Sequence, residues 1–232
     1  MSSAIDIANA TRKAVVKGVV FFAILIGVLF GGSGDWKWST AWLLVAVFMA
    51  FQALALRQMK RQPDLLVERS KMQPGTKPWD KVLVTLLAFV FPLFTWIAAA
   101  LDHRFRWANL ESIGWTAAGF VLVVGGGRLT QWAIAENDFF SATVRIQRDR
   151  GQTVVSSGPY AHVRHPGYAG LLAYTLGTPL ALASRWALLP AALGAIVLIV
   201  RTVLEDHTLK AELDGYAAYA KRIRWRLVPF VW

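Results

Sequence analysis

Six long apolar runs dominate the sequence, at 14–30, 38–56, 82–101, 113–134, 166–183 and 186–204. Each is close to the ~20 residues a helix needs to cross a hydrocarbon core. Inside a bilayer every backbone amide must be satisfied internally, so such runs form either helices or a closed barrel. Barrel strands are short and alternate in polarity, whereas these runs are long and do not alternate. The reading is an all-α, polytopic integral membrane helical bundle with about six transmembrane helices, forming one domain over 1–232. Residues 1–135 supply four spans. Residues 136–232 supply a loop, a helical hairpin and a tail.

Composition agrees. Hydrophobic residues make up 56% of the chain and charged residues 17%, against roughly 45–50% and 25% in soluble domains. Disorder is excluded because it needs low hydrophobicity together with high charge. The absence of cysteine rules out disulfides, thiolate-ligated metals and a cysteine nucleophile. The net charge of +11 does not mark a nucleic-acid binder, because the cations cluster between apolar runs instead of forming one stripe.

Those clusters predict orientation. With six spans, the side holding both termini receives 21 of the 25 Lys and Arg residues. Under the positive-inside rule both termini are cytoplasmic. The first run, preceded by Arg12, Lys13 and Lys17 and followed by Gly31-Gly32-Ser33-Gly34, lacks a small-residue cleavage pattern and reads as an uncleaved anchor. Only Ser184 and Arg185 separate the last two runs, which therefore form a tight antiparallel hairpin. In the tail, Leu209, Leu213, Tyr216, Ala220 and Ile223 recur every three or four residues. That spacing predicts one amphipathic helix on the cytoplasmic side, lying either on the leaflet or over a site beside it.

Two constellations carry chemistry. The first is Tyr160, His162, Arg164, His165, Pro166, Gly167 and Tyr168, directly before the fifth run. Pro166 suits the first turn of a helix, whose free N–H groups favour an anion. An interfacial belt of aromatic and basic residues is the plain alternative. The second is Arg201 with Glu205, one turn apart at the end of the sixth run, where a local ion pair is the plain alternative. The hairpin brings both constellations to one bundle mouth, and ionisable groups gathered there mark a functional site. The triplet Gly125-Gly126-Gly127 reads as close helix packing. His162 and His165 lack flanking carboxylates, so no metal site is expected.

The run Val154-Val155-Ser156-Ser157-Gly158-Pro159-Tyr160, then Val163-Arg164-His165-Pro166-Gly167-Tyr168, resembles the core motif of the isoprenylcysteine carboxyl methyltransferase family. So do Arg201-x3-Glu205, Leu209, Gly215-Tyr216, Tyr219, Arg224 and Leu227-Val228-Pro229. The likeness extends more loosely to bacterial members through Pro63–Leu66 and Gly75–Asp80, and its C-terminal half is shared with phospholipid methyltransferases and, distantly, sterol reductases.

The resemblance implies an S-adenosyl-L-methionine-dependent methyltransferase in the bacterial inner membrane, with its site on the cytoplasmic face. The acceptor would be lipophilic: the carboxylate of an isoprenoid or prenylcysteine-like compound, or another lipid-like molecule. It also implies that Gln147, Gln152, Thr153, Val154, Val155, Tyr160, His165, Pro166, Gly167, Tyr168 and Glu205 hold the cofactor. Glu205 and Arg201 are the implied catalytic pair, with Arg201 facing the acceptor. Membrane lipids are the expected surroundings, with neither nucleic acid nor metal as partner. An NADPH-dependent membrane reductase, with Arg145, Arg148 and Arg150 around a 2′-phosphate, is the competing enzyme class. A lipid-binding protein without catalysis is the non-enzymatic one.

Overall fold

The computed structural model describes residues 3–59, 61–70, 73–107 and 112–232. Two of the cations counted above, Lys60 and Lys71, lie outside them. Among the described residues the regular structure is helical: α1 (Ala4–Ile26), α2 (Ser39–Met59), α3 (Pro63–Ser70), α4 (Pro78–Thr85), α5 (Phe91–Phe105), α6 (Ile113–Glu136), α7 (Pro166–Ala181), α8 (Leu188–Glu212) and α9 (Tyr216–Arg222).

Ser3 caps α1 by accepting a hydrogen bond from the Asp6 amide at 3.2 Å, which satisfies one of the four free donors of the first turn. A π-helical turn at Gly27–Gly31 extends the helix. A second π turn, Leu86–Val90, joins α4 to α5 into one rod, Pro78–Phe105. Proline clashes with the carbonyl four residues back. For Pro92 that residue is Ala88, inside the π turn, whose wider winding relieves the clash.

Five helical rods are long and apolar enough to cross a membrane: Ala4–Gly31, Ser39–Gln58, Pro78–Phe105, Ile113–Glu136 and Leu188–Glu212. The chain is thus a polytopic helical membrane protein. The expected fifth span differs, because α7 has 16 residues and a rise of about 24 Å. Its packing against α6 is close and antiparallel. A Cβ on Gly126 would lie 2.4 Å from the Gly170 carbonyl oxygen, and one on Gly119 would lie 2.2 Å from the Ala181 nitrogen. Only glycine permits such backbone contact. Gly127 faces the Phe51 ring of α2, while Gly125 opens onto free space. Of the glycine triplet, then, two residues serve packing.

This pairing gives α6 and α8 the same direction, and α7 returns the chain between them. The α7–α8 turn is held by buried Asp102, which accepts from the Ser184 hydroxyl at 2.6 Å and the Trp186 amide at 3.4 Å. The apolar core, including Leu25, Leu29, Phe30, Leu44, Phe48, Trp96 and Val123, sits among α1, α2, α5 and α6. The end of the bundle holding Glu136, Pro166 and Glu212, here the near end, carries the polar segments.

The tail departs from the single amphipathic helix its spacing predicted. The last span continues to Glu212, the chain turns at Gly215 with φ +81°, and α9 adds seven residues. Leu213, Tyr216 and Tyr219 pack with Ile146 and Val154 of the 136–165 loop. The tail therefore folds over that loop. The loop itself contains only two 3-10 turns, Arg148–Arg150 and Gly158–Ala161.

Candidate active site

Pro166 opens α7, so the preceding segment must be held from outside the helix. The tail does this. The Arg164 and His165 amides donate to the carbonyls of Trp225 and Arg226, both at 2.9 Å. The Arg164 side chain donates to the Ile223 and Arg224 carbonyls at 2.8 Å and to both oxygens of Asp206 at 2.7 and 2.9 Å.

Asp206 is fully buried and collects further donors: Lys210 at 2.8 Å, the Tyr216 hydroxyl at 3.0 Å, Arg226 at 3.2 Å and His165 at 3.5 Å. A buried carboxylate is tolerable only with such compensation. Burial opposes the charge of Arg164, but Asp206 outweighs it and raises the Arg164 pKa. Glu205 precedes Asp206 on the same helix. Consecutive helical residues point about 100° apart, and the two carboxylates part company: Glu205 lines the cavity and accepts from the Tyr168 hydroxyl.

That cavity, about 650 Å³ including its mouth, is bounded by the loop, the start of α7, the end of α8 and the tail. Of the residues carried over by resemblance, Gln152, Thr153, Val154, Val155, Tyr160, His165, Gly167, Tyr168 and Glu205 line it. Gly167 does so by having no side chain, since a Cβ would lie 2.5 Å from the Phe140 ring. Tyr160 bonds Asn137 at 3.2 Å and the Ala133 carbonyl at 3.3 Å. Burial pushes its pKa up and keeps the hydroxyl protonated, although the Asn137 bond pulls the other way. Burial likewise raises Tyr219 to about 12.

Three carried-over residues fall elsewhere. Gln147 is 1% exposed and faces away from the cavity. Its side chain donates to the Phe139 carbonyl at 2.7 Å and accepts from Arg150, while its amide donates to Gln152 Oε1 at 2.7 Å. It shapes the wall from behind. Pro166 is buried and starts the helix without lining the cavity. Arg201 pairs with neither Glu205 nor open space. It donates Nε to Asp80 Oδ1 at 2.6 Å and Nη2 to Asp80 Oδ2 at 3.2 Å and the Ala142 carbonyl at 3.0 Å. Its guanidinium lies 5.1 Å from the centre of the Tyr168 ring. The Arg201 guanidinium, implied by the resemblance to face the acceptor, is taken up by Asp80, which also accepts from the Val144 amide at 2.6 Å.

Sequence reasoning gave no role to Asp80 or Glu68. Buried Glu68 on α3 binds Arg145 with both oxygens at 2.9 Å, and Asp149 binds it at 2.8 Å. These bonds raise the Arg145 pKa, those to Glu68 most. Three buried ion pairs therefore clamp the cavity frame: Arg145–Glu68, Arg164–Asp206 and Arg201–Asp80. Among the described residues, no group of three or more His, Cys, Asp or Glu side chains is placed to hold a metal ion.

A bundle of apolar helices with a polar cavity at its near end defines a polytopic membrane protein. The segment that builds most of this cavity, residues 118–211, matches the model of the isoprenylcysteine carboxyl methyltransferase family. The chain is also similar to curated proteins. It is 30% identical over 151 residues to protein-S-isoprenylcysteine O-methyltransferase of Rattus norvegicus, covering 61% of this chain and 51% of the relative. It is 29% identical over the same length to the Homo sapiens protein. It is 30% identical over 121 residues to protein-S-isoprenylcysteine O-methyltransferase B of Arabidopsis thaliana, covering 49% and 58%. The chain spans about half the length of the animal relatives it matches.

Proposed function

We propose that the chain is an S-adenosyl-L-methionine-dependent methyltransferase acting on the carboxylate of a lipophilic, prenylcysteine-like or other lipid-like acceptor. The observation that carries this reading is the cavity itself, formed by the family segment and lined by Glu205, Tyr168, Asn137 and the loop 152–155. The residues fit the cofactor's chemistry. A carboxylate and neutral hydroxyls suit a cation that bears hydroxyl groups, and Phe139 and Phe140 give an apolar face for a base. The bound cofactor would supply an electrophilic methyl group on sulfur. That methyl would pass to the acceptor oxygen, with the electron pair of the broken S–CH₃ bond left on sulfur. An ionised acceptor has no proton to remove, so the protein needs no general base.

What this chain contributes is position and dryness. Aligned, water-free placement of two reactants accounts for roughly 7–11 kcal/mol of a displacement barrier. Glu205 and Tyr168 fix one another, the loop 152–155 forms a wall, and Leu213, Tyr216 and Tyr219 close the tail over it. Gln147 and Arg201 act as positioning residues behind the lining.

The reductase reading is disfavoured by the arginines. Arg145 is occupied by Glu68 and Asp149, and Arg150 by Gln147 and the Asp138 carbonyl, so of the three arginines exposed Arg148 alone is left to meet a 2′-phosphate. Thermal melting of the purified protein discriminates. S-adenosylhomocysteine at 100 times its Kd should stabilise by about 2.7 kcal/mol, and NADPH should not. Stabilisation by NADPH alone overturns the assignment. The cavity end is proposed to be cytoplasmic, with α7 as the sixth crossing and both termini on that side. A reporter fused at Trp232 and found outside contradicts this.

A further inference from the structure

Beyond α9 the chain turns back toward the membrane. α8 runs on from Asp206 to Glu212, a rise of about 9 Å, and α9 follows the turn at Gly215. The chain then returns to the level of Asp206. Arg226 Nε reaches Asp206 Oδ2 at 3.2 Å. The Trp225 and Arg226 carbonyls accept from the Arg164 and His165 amides, just before α7 begins. That level is the edge of the apolar bundle. Ala133 of α6 meets Gly167 of α7 there, and the adjacent Trp132 is 51% exposed, as tryptophans at a membrane interface are.

At this level residues 226–232 close into a hook. The Trp232 carbonyl oxygen accepts from the amides of Arg226, Leu227 and Val228 at 2.9, 3.0 and 3.2 Å, and the Val228 carbonyl accepts from those of Val231 and Trp232 at 3.2 and 3.1 Å. The Trp225 and Phe230 ring centroids are 5.6 Å apart, and the Arg226 guanidinium lies 4.9 Å from the Trp232 ring centre. Leu227 is buried, whereas Val228, Phe230 and Val231 are 42%, 87% and 75% exposed. Phe230 holds φ +65°, a left-handed conformation that bulky residues rarely adopt. The ordered hook thus presents an apolar tip, the mark of a contact surface. Beside the tip Lys221, Arg222 and Arg224 are exposed. Among the described residues no carboxylate forms an ion pair with any of the three, whereas the tail cations Lys210 and Arg226 both pair with Asp206.

An apolar tip flanked by unpaired cations at a bilayer edge has the chemistry of an interfacial anchor. Its aliphatic and aromatic side chains suit the acyl boundary, and its cations suit anionic headgroups. The hook is also tied to the polar cavity. Trp225 and Arg226 hold the backbone of Arg164 and His165, and the Arg164 side chain holds the Ile223 and Arg224 carbonyls at 2.8 Å. Tyr219 of α9 donates to the Tyr160 carbonyl at 2.7 Å. Arg164, His165, Tyr160 and Tyr219 all line the cavity.

We infer that segment 221–232 docks on the anionic lipid leaflet at the near end, and that this docking holds the tail closed over the polar cavity. Val228, Phe230 and Val231 enter the acyl boundary, while Lys221, Arg222 and Arg224 meet the headgroups. Cofactor affinity then depends on the charge of the leaflet. That dependence rests on the methyltransferase reading, and the docking itself does not. The leaflet and the site, alternatives for the tail by its spacing, are both used: α9 covers the site and the hook takes the leaflet.

The test places the full chain in nanodiscs of phosphatidylcholine alone or mixed with phosphatidylglycerol. The chain has no cysteine, so Val231→Cys carries a single bimane label, and Asp214→Cys, at the outer turn, carries the control. In the mixed discs acyl-chain doxyl lipid should quench the label at 231 and spare the one at 214, and iodide should do the reverse. S-adenosylhomocysteine, titrated calorimetrically, should bind at least about 5-fold tighter in the mixed discs. The triple variant Lys221→Gln, Arg222→Gln, Arg224→Gln changes only exposed side chains and should lose that difference, as should the unaltered chain in high salt. A triple variant weakened equally in both discs has lost a structural contact, which overturns the docking. A label at 231 that iodide reaches in both discs also overturns it and leaves the tip to another protein. Doxyl quenching at 231 beside equal S-adenosylhomocysteine affinity in both discs overturns the closure. Absence of S-adenosylhomocysteine binding in either disc, beside doxyl quenching confined to 231, would sink the methyltransferase reading and leave the docking standing.

Discussion

The Arg201–Asp80 pair separates a structural tie from substrate recognition. It links α8 to α4 through two hydrogen bonds of 2.6 and 3.2 Å, and Asp80 is fully buried. Removing one partner of a buried pair costs about 3–5 kcal/mol, because the other charge is stranded. Asp80→Asn keeps an acceptor for the Val144 amide, so its effect isolates the charge. Arg201→Met keeps the side-chain stem and removes the cation. Each single variant should lose about 3 kcal/mol or more. The double variant strands no charge and should lose less than the sum, with a coupling of about 2 kcal/mol, inside the 0.5–3 kcal/mol range of contacting residues. Reversible unfolding in mixed micelles, followed by far-UV circular dichroism, measures all four proteins. Additive losses, or single losses below about 1 kcal/mol, would refute the tie. An Arg201→Met variant that is fully stable but fails to bind farnesylthioacetate would return Arg201 to the acceptor.

Glu205→Gln, which removes the charge while keeping an acceptor for Tyr168, and Tyr168→Phe, which removes the hydroxyl that orients Glu205, should each weaken S-adenosylhomocysteine binding by about 10-fold or more in calorimetric titration. Gly126→Leu should prevent α6 from seating on α7, where even a Cβ would lie 2.4 Å from the Gly170 oxygen, and the loss would appear as aggregation in size-exclusion chromatography; Gly125→Leu, facing free space, should stay monodisperse. The pH dependence follows from tyrosines. Tyr219 is raised to about 12 and Tyr160 is raised as well, in both cases chiefly by burial. The unfolded tyrosines ionise near ~10, so the unfolded state releases protons first. The stability these residues contribute is fully present below ~10 and falls as pH rises through about 12. The Tyr219→Phe variant should show a shallower fall over that window in melting scans.

The spans were legible because uninterrupted apolar runs have one physical outcome in a bilayer, and the mouth was legible because a short linker, 182–187 in the structure and two residues by sequence, forces a hairpin. That geometry delivered Tyr168 to Glu205 correctly. The partner of Arg201 was hidden by distance: Glu205 is four residues away and Asp80 is 121 positions away, so helix periodicity pointed to the wrong carboxylate. The clamps from α3 and α4 were hidden in the same way, since Glu68 and Asp80 sit in short polar segments that pattern assigns to connectors. Gln147 matched by motif, yet a polar side chain beside a cavity can face either way, and here the Phe139 carbonyl and Arg150 draw it inward. The tail carried a readable signal that its spacing obscured. Asp214-Gly215 is a turn dipeptide, and the chain breaks there, with Gly215 at positive φ. The opposite duties of Glu205 and Asp206 also followed from helical geometry, once both were placed on one helix.

The central claim is methyl transfer to a lipophilic carboxylate at this cavity. Its most direct measurement incubates the purified full chain with methyl-labelled S-adenosyl-L-methionine and farnesylthioacetate in lipid micelles, and follows label in the base-labile, organic-soluble fraction. The account predicts an ester whose label is released as methanol by mild alkali, formed by the unaltered chain and strongly reduced in Glu205→Gln. Label that stays in the aqueous cofactor, or an alkali-stable product formed equally well by Glu205→Gln, would contradict it.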